Sequence, residues 1–170
     1  MWDYANKVFE PFPAEKKIIQ KMISIGLSIR ELDDEIKIFC DEIEIKPNSI
    51  ARAYNVDRRV VINTLKRIKE NKELYDFFTN LKPVADFSDS GSKMGFGVIE
   101  IIPDNAAKPG IISGVISVIS KYNISIRQVI TDDPDLIENP KAVVVTSTQL
   151  SGDIIREIKK VDGVKGVTVL

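Results

Sequence analysis

The feature that most constrains this chain is an alternation of apolar textures filling its C-terminal part. Phe96 to Ile102 (FGVIEII) is a β-branched, strand-like run, and Ile111 to Tyr122 places Ile112, Val115, Ile116 and Ile119 on one helical face. Ile124 to Thr131 alternates polar and apolar residues, and Ala142 to Thr148 is β-branched again. Asp153 to Lys160 carries Ile154, Ile155 and Ile158 at helical spacing, and Val164 to Leu170 closes the set. The order is β-α-β, β-α-β. Two right-handed crossovers of this kind generate a four-stranded antiparallel sheet with both helices on one face. The other face must be solvated, covered by the rest of the chain or buried in an oligomer. The edge strands of so small a sheet are open to pairing with a second copy.

Composition narrows the chemistry. The sequence contains no histidine, which removes the commonest general base near neutral pH, the commonest transition-metal ligand and the usual pH switch. Cys40 is the single cysteine, so no intrachain disulfide and no cysteine zinc cluster is expected. No nucleophile–base pair or phosphate loop is visible, and we expect no catalytic residue, metal or cofactor. The start, MWDYANKVFEPFP, lacks the pattern of a secretory signal, and no apolar run approaches the length of a bilayer span. The expectation is a cytoplasmic protein with no membrane contact. Asp132, Asp133, Asp135 and Glu138 form an acidic loop punctuated by Pro134 and Pro140, read as a solvated turn rather than a cation site.

Charge is unevenly spread. Residues 1–45 carry 6 basic and 10 acidic side chains, residues 46–72 carry 8 and 2, and residues 73–170 carry 10 and 13. The middle block marks either an anionic partner or a solvated helix face.

Before that block, Trp2, Val8, Phe9 and Phe12 form an apolar arm. Ala14 to Ile25 reads as a helix with Ile18, Ile19, Met22 and Ile23 at helical spacing, closed by Gly26. In IKIFCDEIEIK, Ile36, Ile38 and Cys40 alternate, then Ile43 and Ile45, around Asp41-Glu42. That spacing predicts a short β-hairpin, with a continued helix as the alternative. A further helix is expected from Lys72 to Leu81, with Leu74, Phe77, Phe78 and Leu81 on one face. Asp86 to Lys93 is polar and small, the best linker in the chain. The chain is therefore read as two domains, residues 1–90 and 91–170.

Within the basic block, Ser49 is placed to cap a short helix containing Ile50, Ala51 and Ala53, and Asn55 suits a left-handed turn. Val56 inserts between helices, and Asp57 caps a second helix carrying Val60, Val61, Leu65 and Ile68. These twenty residues resemble the helix-turn-helix of transcription regulators. The resemblance implies that the second helix enters the major groove of double-stranded DNA. Arg58, Arg59, Ile62 and Asn63 would then lie on or near its exposed side, with Lys66 and Arg67 on phosphates. The alternative is a helical hairpin whose charges keep it soluble.

The C-terminal pattern, with Lys108-Pro109-Gly110 ahead of its first helix and Tyr122-Asn123-Ile124 after it, resembles the ACT domain, a ferredoxin-like small-molecule sensor of amino-acid metabolism. The whole chain resembles archaeal predicted regulators that join a helix-turn-helix-like region to an ACT domain. The implied fold class is α+β: a mainly helical N-terminal domain plus a C-terminal βαββαβ domain. The resemblance implies a homodimer through ACT domains, holding an amino acid between the glycine loop of one subunit and the second strand of its neighbour. The ligand residues would come from Asn105, Lys108, Pro109, Gly110 and Ile111 on one side and Asn123 and Ile124 on the other. The chemistry is readable: Pro109 has its φ preset to open a helix, Gly110 permits close backbone approach, and the first-turn N–H groups suit a carboxylate. One departure is Ala107, where the family often has a polar residue. The expected function is ligand-responsive regulation, by DNA binding or, alternatively, by docking on a metabolic enzyme without DNA.

Overall fold

The structure, a computed structural model, describes residues 2–170, with side chains from Tyr4 onward; the side chain of Trp2 in the apolar arm lies outside the described residues. The described residues form seven α-helices and two antiparallel sheets, an α+β fold. The chain divides into two compact units, Met1–Ala85 and Asp86–Leu170.

The first unit begins with helix α1 (Trp2–Phe9) and helix α2 (Pro13–Ser24), which Pro13 opens at a position where no N–H is needed. Gly26 ends α2 with φ +68°, its N–H donating to the Ile23 carbonyl at 3.0 Å and that of Leu27 to Met22 at 2.8 Å. This pair of bonds satisfies two carbonyls at the helix end. Three strands follow in the order β1-β2-β3: Ser28–Leu32, Glu35–Cys40 and Ile43–Ile45. The expected hairpin is β2–β3, with Ile38 opposite Ile45 and Cys40 opposite Ile43. The strand β1 was not anticipated from sequence, because SIREL shows no sustained alternation. It is held by a two-residue turn in which Asp33 and Asp34 both take positive φ, +52° and +61°, the backbone that such hairpin turns require.

Helices α3 (Pro47–Tyr54), α4 (Arg58–Glu70) and α5 (Lys72–Thr79) complete the unit. Ser49 does not cap α3: it lies inside the helix, which Pro47 opens after Lys46. Asn55 ends α3 in the left-handed region (φ +52°, ψ +51°), and the Val56 N–H reaches back to the Ala51 carbonyl at 3.0 Å. Asp57 caps α4 as expected, its Oδ1 accepting from the Arg59 N–H at 2.7 Å. Phe9, Ile18, Met22, Ile29, Ile38, Val61, Ile68 and Phe78 are the buried centre of this unit.

The second unit is βαββαβ: β4 (Gly97–Pro103), α6 (Ile111–Lys121), β5 (Ile126–Thr131), β6 (Ala142–Thr146), α7 (Gly152–Ile158) and β7 (Val164–Val169). All pairings are antiparallel, in the order β5-β6-β4-β7. Ile99, Ile101, Ala142 and Val144 face the helices and pack with Ile111, Val115, Val118, Ile119, Ile154 and Ile158.

The opposite face carries Val98 and Val145, both 1% exposed. What covers them corrects the linker assignment. Residues 86–95 fold back over this face: the Phe87 N–H donates to the Gln128 side chain at 3.0 Å, and Gly91 is buried against the two valines. A Cβ on Gly91 would sit 2.8 Å from both the Phe87 carbonyl oxygen and a Val98 methyl. Gly91 is the position where the close approach leaves no room for a side chain, while Asp86, Asp89, Ser90 and Lys93 remain exposed. No helix among the described residues is long and apolar enough to cross a membrane.

Candidate functional site

In the second unit a cavity of about 190 Å³ opens at the start of α6. Its walls come from three places: Ile101 and Pro103 at the end of β4, Ala106, Lys108 and Gly110 in the following loop with Ile111, Ile112 and Ser113, and Thr131, Asp132, Lys141 and Ala142 where β5 meets β6. Gly110 is the N-cap residue of α6, with φ +97° and open space where a Cβ would stand. Gly110, rather than Pro109, therefore sets the helix start, and Pro109 lies one residue outside it. The Gly110 carbonyl accepts from the Gly114 N–H at 2.9 Å and from the Ser113 hydroxyl at 2.9 Å. The amides of Ile111, Ile112 and Ser113 are first-turn donors with no partner inside the helix. Gly163, buried beneath, lets the Ile111 side chain close in, which pins that turn.

The charged groups around the cavity are mutually engaged. Lys108 Nζ lies 3.0 Å from Asp162 Oδ2. That hydrogen bond, with the Asp162 and Asp104 charges adding, holds the Lys108 pKa above its ordinary value. Lys141 Nζ lies 3.0 Å from Glu100 Oε2, while its backbone N–H donates to Asp132 Oδ2 at 3.0 Å. The cavity thus offers backbone N–H groups and the positive end of a helix at its mouth, with aliphatic walls from Ile101, Ile111, Ile112 and Ala142. Such an arrangement suits a small carboxylate with an aliphatic body.

The other expected ligand residues fall differently. Asn105 shapes the loop: its Oδ1 accepts from the Ala107 N–H at 3.0 Å, which also gives Ala107 a structural place. Asn123 lies at the far end of α6, an 11-residue helix and so about 16 Å long. It takes φ +56° and terminates that helix rather than opening a strand, since β5 begins at Ile126. Ile124 packs against the core. Gly110 and Asn123 therefore do not meet around one ligand within a single chain. Sequence reasoning missed Pro103, Ala106, Thr131, Asp132, Lys141 and Ala142, which have no local signature.

In the first unit, the side of α4 away from the core separates into two stripes, with buried Leu65 at the floor of the first. Arg58, Ile62, Leu65, Lys66 and Lys69 line a groove of about 600 Å³ against the β2–β3 hairpin. Arg59 and Asn63 are exposed outside that groove. Arg67 belongs to neither stripe: its Nε donates to Glu15 Oε2 at 2.8 Å and its guanidinium carbon lies 3.5 Å from the centre of the Phe12 ring. Hydrogen bonding to Glu15 holds its pKa above the ordinary arginine value. Arg67 thus ties α4 to α2 instead of standing open for a phosphate. Lys69 is likewise taken, by Glu31 at 2.6 Å.

The acidic loop after β5 is internally bonded, with Asp133 Oδ1 accepting from the Asp135 N–H at 2.9 Å. Among the described residues no three His, Cys, Asp or Glu side chains converge as a metal site.

Comparison with known proteins found no matching family model and no matching curated protein. Among solved structures, the ACT domain of a GTP pyrophosphokinase from Chlorobium tepidum is similar at 22% identity and a TM-score of 0.35, over 44% of this chain and 96% of that one. A protein described as PH0061 is similar at 12% identity and TM-score 0.29, over 92% and 88% of the two chains. AsnC of E. coli is similar at 12% identity and TM-score 0.23, over 93% and 89%. What the chain's own topology establishes is an α+β protein whose second unit is a βαββαβ fold.

Proposed function

We propose that this chain is a ligand-responsive regulator that binds and does not catalyse. The second unit senses an amino acid in the cavity at the start of α6, and two copies pair so that Asn123 of one approaches Gly110 of the other. The first unit carries the output onto double-stranded DNA through Arg59, Asn63, Arg58 and Lys66. The observation that supports the reading is Gly110: a left-handed N-cap with open space before it, at the mouth of an aliphatic cavity beside unpaired first-turn amides.

The test is a thermal-shift screen of the full chain with the twenty amino acids, repeated on Gly110→Asp and on Ala106→Trp, which fills the cavity from a half-buried position. The expected result is stabilisation by an aliphatic amino acid that both variants abolish. Stabilisation by none of the twenty, or a shift surviving Ala106→Trp, overturns the sensing reading. A gel shift at low salt, with and without that amino acid, tests the DNA arm.

A second reading, a subunit that docks on a metabolic enzyme without touching DNA, is favoured by the engagement of Arg67 and Lys69. Arg67 is committed to Glu15 and Lys69, though exposed, to Glu31. Stoichiometric co-purification of an enzyme, with no duplex enriched, is its signature.

A further inference from the structure

The groove in the first unit has properties that a DNA-reading helix does not require. It runs along α4 from Arg58 to Lys69, a rise of about 16 Å. Its two walls are apolar: Ile36 and Ile45 from the hairpin face Ile62 and Leu65 from the helix.

Its ends differ in charge. At one end stand Lys46 and Arg58, next to the first residues of α3 and α4, where both helix dipoles present their positive poles. Lys66 lines the groove about two helical turns further along α4. None of Lys46, Arg58 and Lys66 has an ion pair among the described residues. At the other end are Asp34 and Glu35 at the β1–β2 turn, where Asp34 acts on Lys69 beside its partner Glu31.

We propose that this groove binds a small phosphate monoester with a flat, largely apolar body, a ligand of mononucleotide size. Glu44 also lines the groove, and the three cations without ion pairs still leave a net positive charge greater than one carboxylate calls for. They match a phosphate monoester, which carries nearly two charges and three acceptor oxygens at neutral pH. Arg58 supplies a fork for two of those oxygens, and the lysines supply point charges. The isoleucine and leucine walls sandwich the body. Asp34 and Glu35 accept from amino or hydroxyl donors at its far end. The volume of about 600 Å³ lies within the range of small-molecule pockets. The site is separate from the α6 cavity and stands whether or not that cavity senses an amino acid; it shares Arg58 and Lys66 with the proposed DNA surface, so ligand and duplex compete for these two cations.

The experiment is methyl NMR of the full chain labelled at isoleucine, titrated in separate arms with AMP, adenosine, inorganic phosphate and a short DNA duplex. AMP is expected to shift the Ile36, Ile45 and Ile62 methyls saturably, with adenosine and phosphate each at least tenfold weaker. Arg58→Gln with Lys66→Gln should weaken AMP at least tenfold, and Ile62→Trp should abolish its binding without altering charge. Unshifted Ile18 and Ile68 methyls report that each variant remains folded. No saturable shift at the three groove methyls with millimolar AMP overturns the proposal, as does wild-type affinity in the charge variant. Shifts there with duplex but not AMP assign the groove to nucleic-acid phosphates and overturn it equally.

Discussion

Replacing Arg67 by alanine separates a structural arginine from a nucleic-acid contact. Arg67 neutralises Glu15, which is only 7% exposed, through bonds of 2.8 and 3.4 Å, and it covers the Phe12 ring. Truncation leaves a nearly buried carboxylate without its counter-charge, a loss of about 3–5 kcal/mol for fully buried pairs. The Arg67 side chain is itself 26% exposed, so water enters the space it vacates and part of that cost is recovered. Losing the contact with Phe12 returns roughly 0.5–1 kcal/mol to the penalty. The expectation is a destabilisation of about 2–3 kcal/mol in the first unit, or about 10 °C or more in its midpoint for a unit of this size. Circular-dichroism melts of the full chain read it. The neighbouring Lys66→Ala should lie within about 0.5 kcal/mol of the parent. Replacing both members of the pair with apolar residues, Glu15→Leu with Arg67→Met, should recover most of the loss, because no buried charge is then left alone. A midpoint for Arg67→Ala within 2 °C of the parent (about 0.5 kcal/mol or less) would refute the assignment of Arg67 to structure.

Other consequences are local. Asp57→Ala removes the cap of α4 and should cost about 1 kcal/mol, with Asp57→Ser retaining most of it; equal melts for the two variants would contradict the cap. Gly91→Ala forces a Cβ against the Phe87 carbonyl and Val98; it should cost about 1–3 kcal/mol and free the Phe87 amide for hydrogen exchange, and a protected amide at unchanged stability would argue against the strap. Tyr122 and Lys121 both hydrogen-bond Glu157, lowering the Glu157 pKa and raising that of Tyr122. The Glu157 contribution is then present above its unfolded pKa and lost on acidification through the lowered folded value. The Tyr122 contribution is present below its unfolded pKa and lost as pH rises through the raised one. Tyr122→Phe should leave a melting profile whose alkaline side no longer shows that extra loss; curves parallel to the parent at all pH values would rule it out.

Several elements were legible from sequence because their causes are local. Gly26, Asn55 and Asp57 each end or begin a helix through bonds to residues within five positions. The β2–β3 hairpin and the six elements of the second unit follow from apolar periodicity, which records the face each will bury. At the candidate sites, Gly110 and the basic run of α4 were singled out in the same way, from a short window. That Gly110, and not Pro109, is the left-handed cap of α6 was decided by the structure.

What tertiary structure decided are the roles set by distant partners. Lys66 and Arg67 are adjacent basic residues of one helix. Only the placement of Glu15, 52 positions away, draws one into the fold and leaves the other in the groove. Asp86 to Lys93 read as a tether because polarity and small size have two possible causes, freedom or tight approach. The valines of β4 and β6 select the second at Gly91. The walls of the α6 cavity, from Ile101 to Ala142, share no local pattern, and Gly110 and Asn123 are separated by the length of a helix whose ends sequence could mark but not measure against each other. Sequence by itself determined the elements and their buried faces, since propensity and periodicity act over a few residues. Which charges are buried, which glycines are crowded and which loops meet depends on contacts closed across the fold, and those exist only once the core has formed.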